Sequence, residues 1–302
     1  MDLEHGAMDA ECEMAYGAPA EPLRPYVLGY RGYDMTLRQP RRRLEVPTDV
    51  VTLAIGFEGA MRLTDAVAAT PPESFGSVAA GLRRTATIAE HGGRLYGLTV
   101  SLTPQGAFHL LGPAAGELGG QWADAGEVLG KSLRGLAGRL AEAPGWGARF
   151  ALLDAFFASR LVDGRPWEPS VAWAWHELRR SHGLVPVRAL VEGTGWSRRR
   201  LELRFREHLG VPPKQVAKII RLQRTLTVLE RRPDWDGARI ASQCGFYDQS
   251  HLDRTFRGMV GCSPREFLAS RRAAVPPEPT DRLAGRVTSA VLAAGRPRHH
   301  AG

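Results

Sequence analysis

One internal repeat limits what this chain can fold into more than any other feature. The pattern Leu201-x3-Phe205-Arg206-x3-Gly210-x2-Pro213 returns as Leu252-x3-Phe256-Arg257-x3-Gly261-x2-Pro264, offset by 51 throughout. Just upstream, Leu190-Val191-x3-Gly195-Trp196 returns as Ile240-Ala241-x3-Gly245-Phe246 at an offset of 50, so the second copy holds one extra residue. Repeated supersecondary units of this size stack to share a core. The spacing of apolar positions predicts a short helix, a Gly-aromatic turn and a second helix in each copy. Ser197 and Asp248 stand where a side-chain oxygen caps the second helix. That order is helix-turn-helix, whose second helix enters the major groove of DNA.

Helical angles of about 100° per residue sort the second helices. In the first, Leu201 and Phe205 face inward with Leu209 at the edge, and Arg199, Arg200, Leu203 and Arg206 face outward. In the second, Leu252 and Phe256 face inward, and Ser250, His251, Arg254 and Arg257 face outward. Such a stripe suits a groove lined with acceptors, although a single one is also what an ordinary solvated face looks like. Between the copies, Pro213 to Arg232 carries Val216, Ile219, Leu222, Leu226 and Leu229 at helical spacing. Nineteen helical residues make a rod of about 28 Å, against about 34 Å between successive major-groove faces. Ser263-Pro264-Arg265-Glu266 reads as a capping box with Pro at the first helical position, opening a last helix over Phe267 and Leu268.

Charge decides between the two readings of the stripes. The chain's 302 residues carry a net charge of +8, and 37 of the 40 basic residues are Arg, a bias that genome composition alone can produce. Divided by position, residues 1–180 carry −3, residues 181–275 carry +9 and the remainder +2. The excess coincides with the repeat, which is the electrostatic footprint of a nucleic-acid-binding domain.

With the residues from Leu190 to Leu201, and Ile240-Ala241-Ser242-Gln243-Cys244-Gly245-Phe246-Tyr247-Asp248-Gln249-Ser250-His251-Leu252 with Arg254, Phe256, Gly261, Ser263 and Pro264, the segment from about Val185 to Arg272 resembles the DNA-binding domain of AraC/XylS-type transcriptional regulators. The resemblance covers nearly a third of the chain. It implies two helix-turn-helix units on a seven-helix scaffold, and a bacterial promoter-binding regulator, often an activator that touches RNA polymerase. Carried onto this sequence, it places base reading at Arg199, Glu202 and Leu203 in the first unit and at Gln249, Ser250, His251, Asp253 and Arg254 in the second. Arg198, Arg200, Arg206 and Arg257 complete the expected DNA-binding set. Position 203 is commonly Arg in the family and is Leu here, so the first unit either packs Leu203 on a thymine methyl or reads shape more than sequence.

The rest of the chain reads as α+β. Residues 1–25 lack a sustained period and are expected to be a loose leader. From Tyr26 to about Leu111, strand-like runs such as Val50–Ile55, Arg83–Ile88 and Leu95–Val100 predict an antiparallel sandwich or small barrel. Leu129, Leu133, Leu136 and Leu140, then Phe150, Leu153, Phe156 and Phe157, predict helices after it. The order of strands then helices, with Gly81-Leu82-Arg83, Leu102-Thr103-Pro104-Gln105-Gly106-Ala107 and Leu110-Leu111-Gly112, resembles the uncharacterised cupin-like sensor domain that precedes this module in many bacterial regulators. The expected boundaries are 26–162 for a β-rich regulatory domain with helices, 163–184 for a linker and connecting helix, 185–272 for an all-α double helix-turn-helix domain, and 273–302 for a flexible tail.

Chemistry is sparse. The chain has no G-x-G-x-x-G after a strand, no G-x-x-x-x-G-K-[ST], no H-E-x-x-H and no G-x-S-x-G. His91 and His109 stand singly, the terminal pair His299-His300 makes no metal site, and Cys12, Cys244 and Cys262 have neither disulfide-framework nor metal-ligand spacing. Cys12 raises an alkyl-accepting reading that its unpatterned surroundings do not support. Trp167, Trp173 and Trp175, with Trp122 and Trp146, could line an apolar pocket, but the first three read better as a packed hinge between domains. No apolar run reaches the roughly 18 residues of a membrane span, and the acidic N-terminus is unlike a secretory signal. The expectation is a cytoplasmic regulator and not an enzyme. Its partners would be double-stranded promoter or operator DNA, RNA polymerase, a small-molecule effector and a second copy in a homodimer, with no cofactor, metal or membrane. Two alternatives stay open: a ligand-independent regulator whose N-terminal domain only dimerises, and a small-molecule enzyme domain tethered to a DNA-binding module.

Overall fold

A proline in the middle of a long strand sets the shape of the N-terminal domain. In the computed structural model, which describes residues 10–68, 70–112, 114–162, 166–273, 283 and 286–292, Pro40 lies within a strand running from Val27 to Glu45. Proline has no N–H for the ladder, and the pairing shifts between Leu37 and Arg41, opposite Gly92 and Gly93. The strands are β1 (Ala10–Gly17), β2 (Val27–Glu45), β3 (Val51–Glu58), β4 (Met61–Asp65), β5 (Glu73–Phe75), β6 (Val78–Ala80), β7 (Thr87–Leu102), β8 (Trp122–Asp124) and β9 (Ser289–Leu292). They form one antiparallel sheet in the order β1-β2-β7-β3-β6-β8, with β4 on β7, β5 on β4 and β9 on β2. Around the bulge the long strands change partners. The early part of β7 pairs with β4 and its later part with β3, while β2 pairs with β1 before the bulge and with β9 after it.

One face of this sheet packs on helices. Leu53, Ile55, Leu98 and Val100 are buried in the same core as Leu133, Leu136, Leu140, Leu153 and Phe157. Leu133, Leu136 and Leu140 come from α4 (Lys131–Glu142) and Leu153 and Phe157 from α5 (Trp146–Val162), which follow α1 (Pro104–Leu111), α2 (Ala114–Glu117) and α3 (Ala125–Leu129). The opposite face carries Arg31, Tyr33, Met35, Leu95 and Thr99 and lines a cavity.

The C-terminal helices follow the repeat. After α6 (Pro169–Arg180) come α7 (Val187–Thr194) and α8 (Arg198–Leu209), then the connecting α9 (Pro213–Arg231), then α10 (Gly237–Gln243) and α11 (Gln249–Val260), and last α12 (Pro264–Ala273). Val216, Ile219, Leu222, Leu226 and Leu229 of α9 are buried, as their spacing predicts. The capping box forms: Ser263 N–H donates to Glu266 Oε2 at 2.7 Å and Glu266 N–H to Ser263 Oγ at 3.2 Å.

Three expectations are corrected. Residues 10–17 of the expected leader are strand β1, paired residue for residue with β2 from Ala10–Leu37 to Gly17–Tyr30. Arg83 to Ala86 is not strand but a bend, and the short runs at 87–88 and 95–100 belong to one strand of 16 residues. Within the expected flexible tail, Ser289–Leu292 pairs with β2, because Val287 and Ala290 are apolar and find a buried seat beside Leu44 and Val46. Residues 163–165 of the expected linker and His299-His300 lie outside the described residues.

Candidate nucleic-acid interface

Each recognition helix is set up by its own sequence. Gly195 and Gly245 carry the turn before it with φ of +67° and +72°, a conformation that side-chain-bearing residues avoid. Ser197 Oγ then accepts the Arg200 N–H at 3.3 Å, and Asp248 Oδ1 accepts the His251 N–H at 2.6 Å. The caps leave α8 and α11 in equivalent positions in the two units, with Leu201, Phe205, Leu252 and Phe256 buried.

All the expected outward positions are accessible, though not alike. Arg198, Arg199, Arg200, Leu203 and Arg206 of α8 are exposed and Glu202 is half-buried. Glu202 accepts from Arg198 at 3.0 Å and lies 4.0 Å from Arg206, so it ties the stripe together. Arg200 lies over the Trp196 ring at 4.8 Å, and Leu203 is 53% exposed between the arginines. On α11, Gln249, Ser250, Arg254 and Arg257 are exposed and His251 and Asp253 are half-buried. Arg254 Nε donates to the Ser250 carbonyl at 3.3 Å, and the Gln249 side chain lies over Gly237. The arrangement holds cationic and amide donors on two parallel-capped helices, which is the donor set that base edges and phosphates accept from.

Sequence reasoning missed one residue here. Tyr247 is 93% exposed immediately before α11. Its adjacency to the Gly-aromatic turn at Gly245-Phe246 places it beside the exposed stripe of α11.

The far ends of both recognition helices are held by the N-terminal domain. At α8, the His208 ring stacks on Phe108 of α1 at 4.4 Å, with Trp167 edge-on at 5.1 Å. Burial there lowers the His208 pKa below the ordinary histidine value, and its Nδ1 lies 2.9 Å from the Arg204 carbonyl oxygen. Gly116 of α2 approaches so closely that a Cβ would stand 2.6 Å from the Glu207 carbonyl oxygen. At α11, the Ala86 N–H donates to the Met259 carbonyl at 2.7 Å, and Gly261 abuts Ala66. Of the three tryptophans expected at a hinge, Trp167 sits at this junction, on Phe108 and His208, whereas Trp173 packs against Gly193 of α7 within the C-terminal helices.

The cavity lies behind the same bend. It measures about 150 Å³ and is walled by the concave rows of β2, β3, β4, β6 and β7, with Leu283 and Thr288 of the C-terminal segment. Arg83, on the bend that reaches Met259, lines it. Its guanidinium stacks over Trp122 at 4.0 Å and lies 3.9 Å from Asp65, and burial pushes its pKa down to about 10. His91 also lines this wall. Among the described residues no three His, Cys, Asp or Glu side chains cluster to hold a metal ion, and no helix is long and apolar enough to cross a membrane. Cys244 and Cys262 have thiols pushed up by burial, the latter to about 11, and Cys12 packs beside Tyr33, Met35 and Leu95.

Comparison with known proteins agrees with the geometry of the C-terminal part. Residues 190–270 match the family model described as a helix-turn-helix domain. A curated relative, the putative HTH-type transcriptional regulator YkgA of Escherichia coli (strain K12), is 31% identical over 93 residues, which are 31% of this chain and 38% of that protein. Among solved structures, ToxT from Vibrio cholerae O395 aligns over 86% of this chain and 97% of its own, at 10% identity and a TM-score of 0.42. The AraC-like transcriptional activator CuxR aligns over 64% of this chain and 79% of its own, at 12% identity and a TM-score of 0.27. The chain is thus similar, over residues 190–270, to helix-turn-helix domains.

Proposed function

We propose that the chain is a sequence-specific DNA-binding transcriptional regulator in which an effector-responsive N-terminal domain positions two recognition helices. The observation that carries this reading is the pair of capped helices, α8 and α11, each with an exposed cationic and polar stripe and joined by the 19-residue α9. Bases are read by Arg199 and Leu203 in one groove segment and by Gln249, Ser250, His251 and Arg254 in the next. Arg198, Arg200, Arg206 and Arg257 neutralise phosphate, Glu202 orients Arg198 and Arg206, and Asp253 stays with the base-reading residues of α11. A cavity in the N-terminal sheet supports a ligand-responsive regulator over one whose N-terminal domain only dimerises. The reading makes the chain a cytoplasmic regulator rather than an enzyme, with promoter DNA, RNA polymerase and a second copy of itself as partners.

Selection of a binding site from random-sequence DNA, followed by fluorescence anisotropy on that site, tests it. Arg254→Ala is expected to weaken specific binding by about 1–3 kcal/mol and to relax preference at one base position. Equal weakening on every sequence would move Arg254 to the phosphate set. A chain that enriches no sequence would contradict the reading.

A further inference from the structure

We infer that residues 286–292 are a strap, which seats the connecting helix α9 on the N-terminal sheet and makes the two domains open as one cooperative unit. The inference goes beyond the reading as a DNA-binding regulator, which needs only the two recognition helices. Connectivity gives the first argument. The chain leaves the N-terminal domain after α5, builds helices α6 to α12, and returns to place β9 in the sheet it left. A domain joined to its neighbour at one point is free to swing about it, and a second, separate joint takes that freedom away. The return is ordered. Ser289, Ala290, Val291 and Leu292 pair with Glu45, Leu44, Arg43 and Arg42, and the Val46 N–H donates to the Thr288 carbonyl at 2.9 Å.

Side chains give the second. Gln223 of α9 donates to the carbonyl of Val287 in the strap and to that of Pro47 in the loop after β2, so one side chain joins rod, strap and sheet. Asp49 of the same loop accepts from Arg286 of the strap at 2.6 and 3.2 Å and lies 3.7 Å from Arg179 of α6. Arg271 of α12 bonds the Ser289 carbonyl and pairs with Glu230 of α9. Three helices of the C-terminal domain are therefore fastened to the strap or to its seat. Val287, Thr288, Ser289 and Ala290 are all buried between the two domains' elements.

The other contacts between the domains give the third. At the recognition helices these are separate: the ring stack of His208 on Phe108, the close approach of Gly116, and the hydrogen bond from Ala86 to Met259. Each gives way without the others. Peeling β9 from β2 breaks a ladder, exposes Val287 and Ala290, and parts Gln223, Arg271 and Arg286 from their partners in the same event. Contacts that are lost together make an all-or-none joint, which is how a cooperative unit is bounded.

Peptide-resolved hydrogen exchange on the full chain across a urea series tests this without DNA. In the unsubstituted chain, the amides of β3 and β7 and those of α9 and α11 should share one opening transition. Gln223→Leu combined with Arg286→Ala removes the side-chain fastenings and touches neither recognition stripe. That variant should open in two transitions, with the Val46 amide exchanging about tenfold faster or more. Arg286→Lys, which keeps a cation on Asp49, should open in one. If the double variant does not fold, Arg286→Ala alone decides by the same criterion. A released variant that still opens in one transition, or an unsubstituted chain whose domains already open apart, would overturn the inference. The selected-site DNA adds a second readout, because a ligand of one domain stabilises the other only where the two are coupled. DNA should slow exchange in β3 and β7 of the unsubstituted chain and not in the released variant, and equal slowing in both would also overturn the strap. A chain that binds no DNA overturns the regulator reading alone, since the urea series still decides this one.

Discussion

At the scale of single residues, the structure depends on places where no side chain or only one kind fits. Gly116→Ala would put a Cβ 2.6 Å from the Glu207 carbonyl oxygen, on backbone that cannot swing away. That substitution is expected to cost about 1–3 kcal/mol in thermal or denaturant melting. Gly135→Ala, on an exposed turn of α4 with open space around it, should instead gain up to about 1 kcal/mol. Equal effects would show that α2 does not grip α8. His208 makes the same contact sensitive to acid. Its pKa is lowered by burial in the folded chain, whereas the unfolded chain protonates near the ordinary 6.5. As pH falls through that value the unfolded state takes up a proton that the folded state resists, so stability declines on acidification. His208→Phe keeps a ring on Phe108 and should melt with a smaller loss between about pH 7 and pH 5.5. The helix caps and turn glycines were legible in the sequence because each acts within four residues. Gly116 was not, because what forbids a side chain there is the backbone of Glu207, distant in sequence.

At the scale of elements, periodicity found the helices and misjudged the strands. Leu133, Leu136 and Leu140 are buried on one stripe of α4, and the stripe of α9 is buried as spaced. The runs Arg83–Ile88 and Leu95–Val100 have Gly92-Gly93 between them, and in the sheet that pair lies opposite Pro40 at a bulge within continuous strands β7 and β2. The C-terminal strand was missed for another reason: four residues of β9 have too little pattern to announce pairing with a strand some 245 positions earlier. That strand is well anchored. Arg286 forms a two-point pair with Asp49 at 2.6 and 3.2 Å. Gln223 of α9 donates to the carbonyls of Val287 and Pro47 at 3.0 and 2.7 Å. Arg271 of α12 bonds the Ser289 carbonyl and Glu230, and Ser289 Oγ accepts from Arg43 at 2.6 Å. The segment thus joins the cavity wall to the helical domain. Ending the chain after Ala273 should lower stability by at least about 2 kcal/mol, from loss of buried Val287 and its hydrogen bonds. An unchanged melting curve would show that the strand is ornamental to the fold.

At the scale of the whole molecule, the N-terminal domain touches both recognition helices at their C-terminal ends and leaves their N-terminal halves open. The contacts at α11 run through the bend that carries Arg83, so a change at the cavity wall is one hydrogen bond from Met259. The +9 block coincides with the two helix-turn-helix units, and the cavity behind the bend had no counterpart in sequence, since its wall is gathered from five strands and the C-terminal segment. On the proposed function, α8 and α11 occupy successive major-groove segments on one face of the duplex. Methylation protection of guanine N7 on the selected site, with the full chain bound, measures this directly. Two protected clusters about 10 base pairs apart are predicted, with protection in one cluster lost in Arg254→Ala and in the other lost in Arg199→Ala. A single protected cluster, or two that respond together to either substitution, would contradict it.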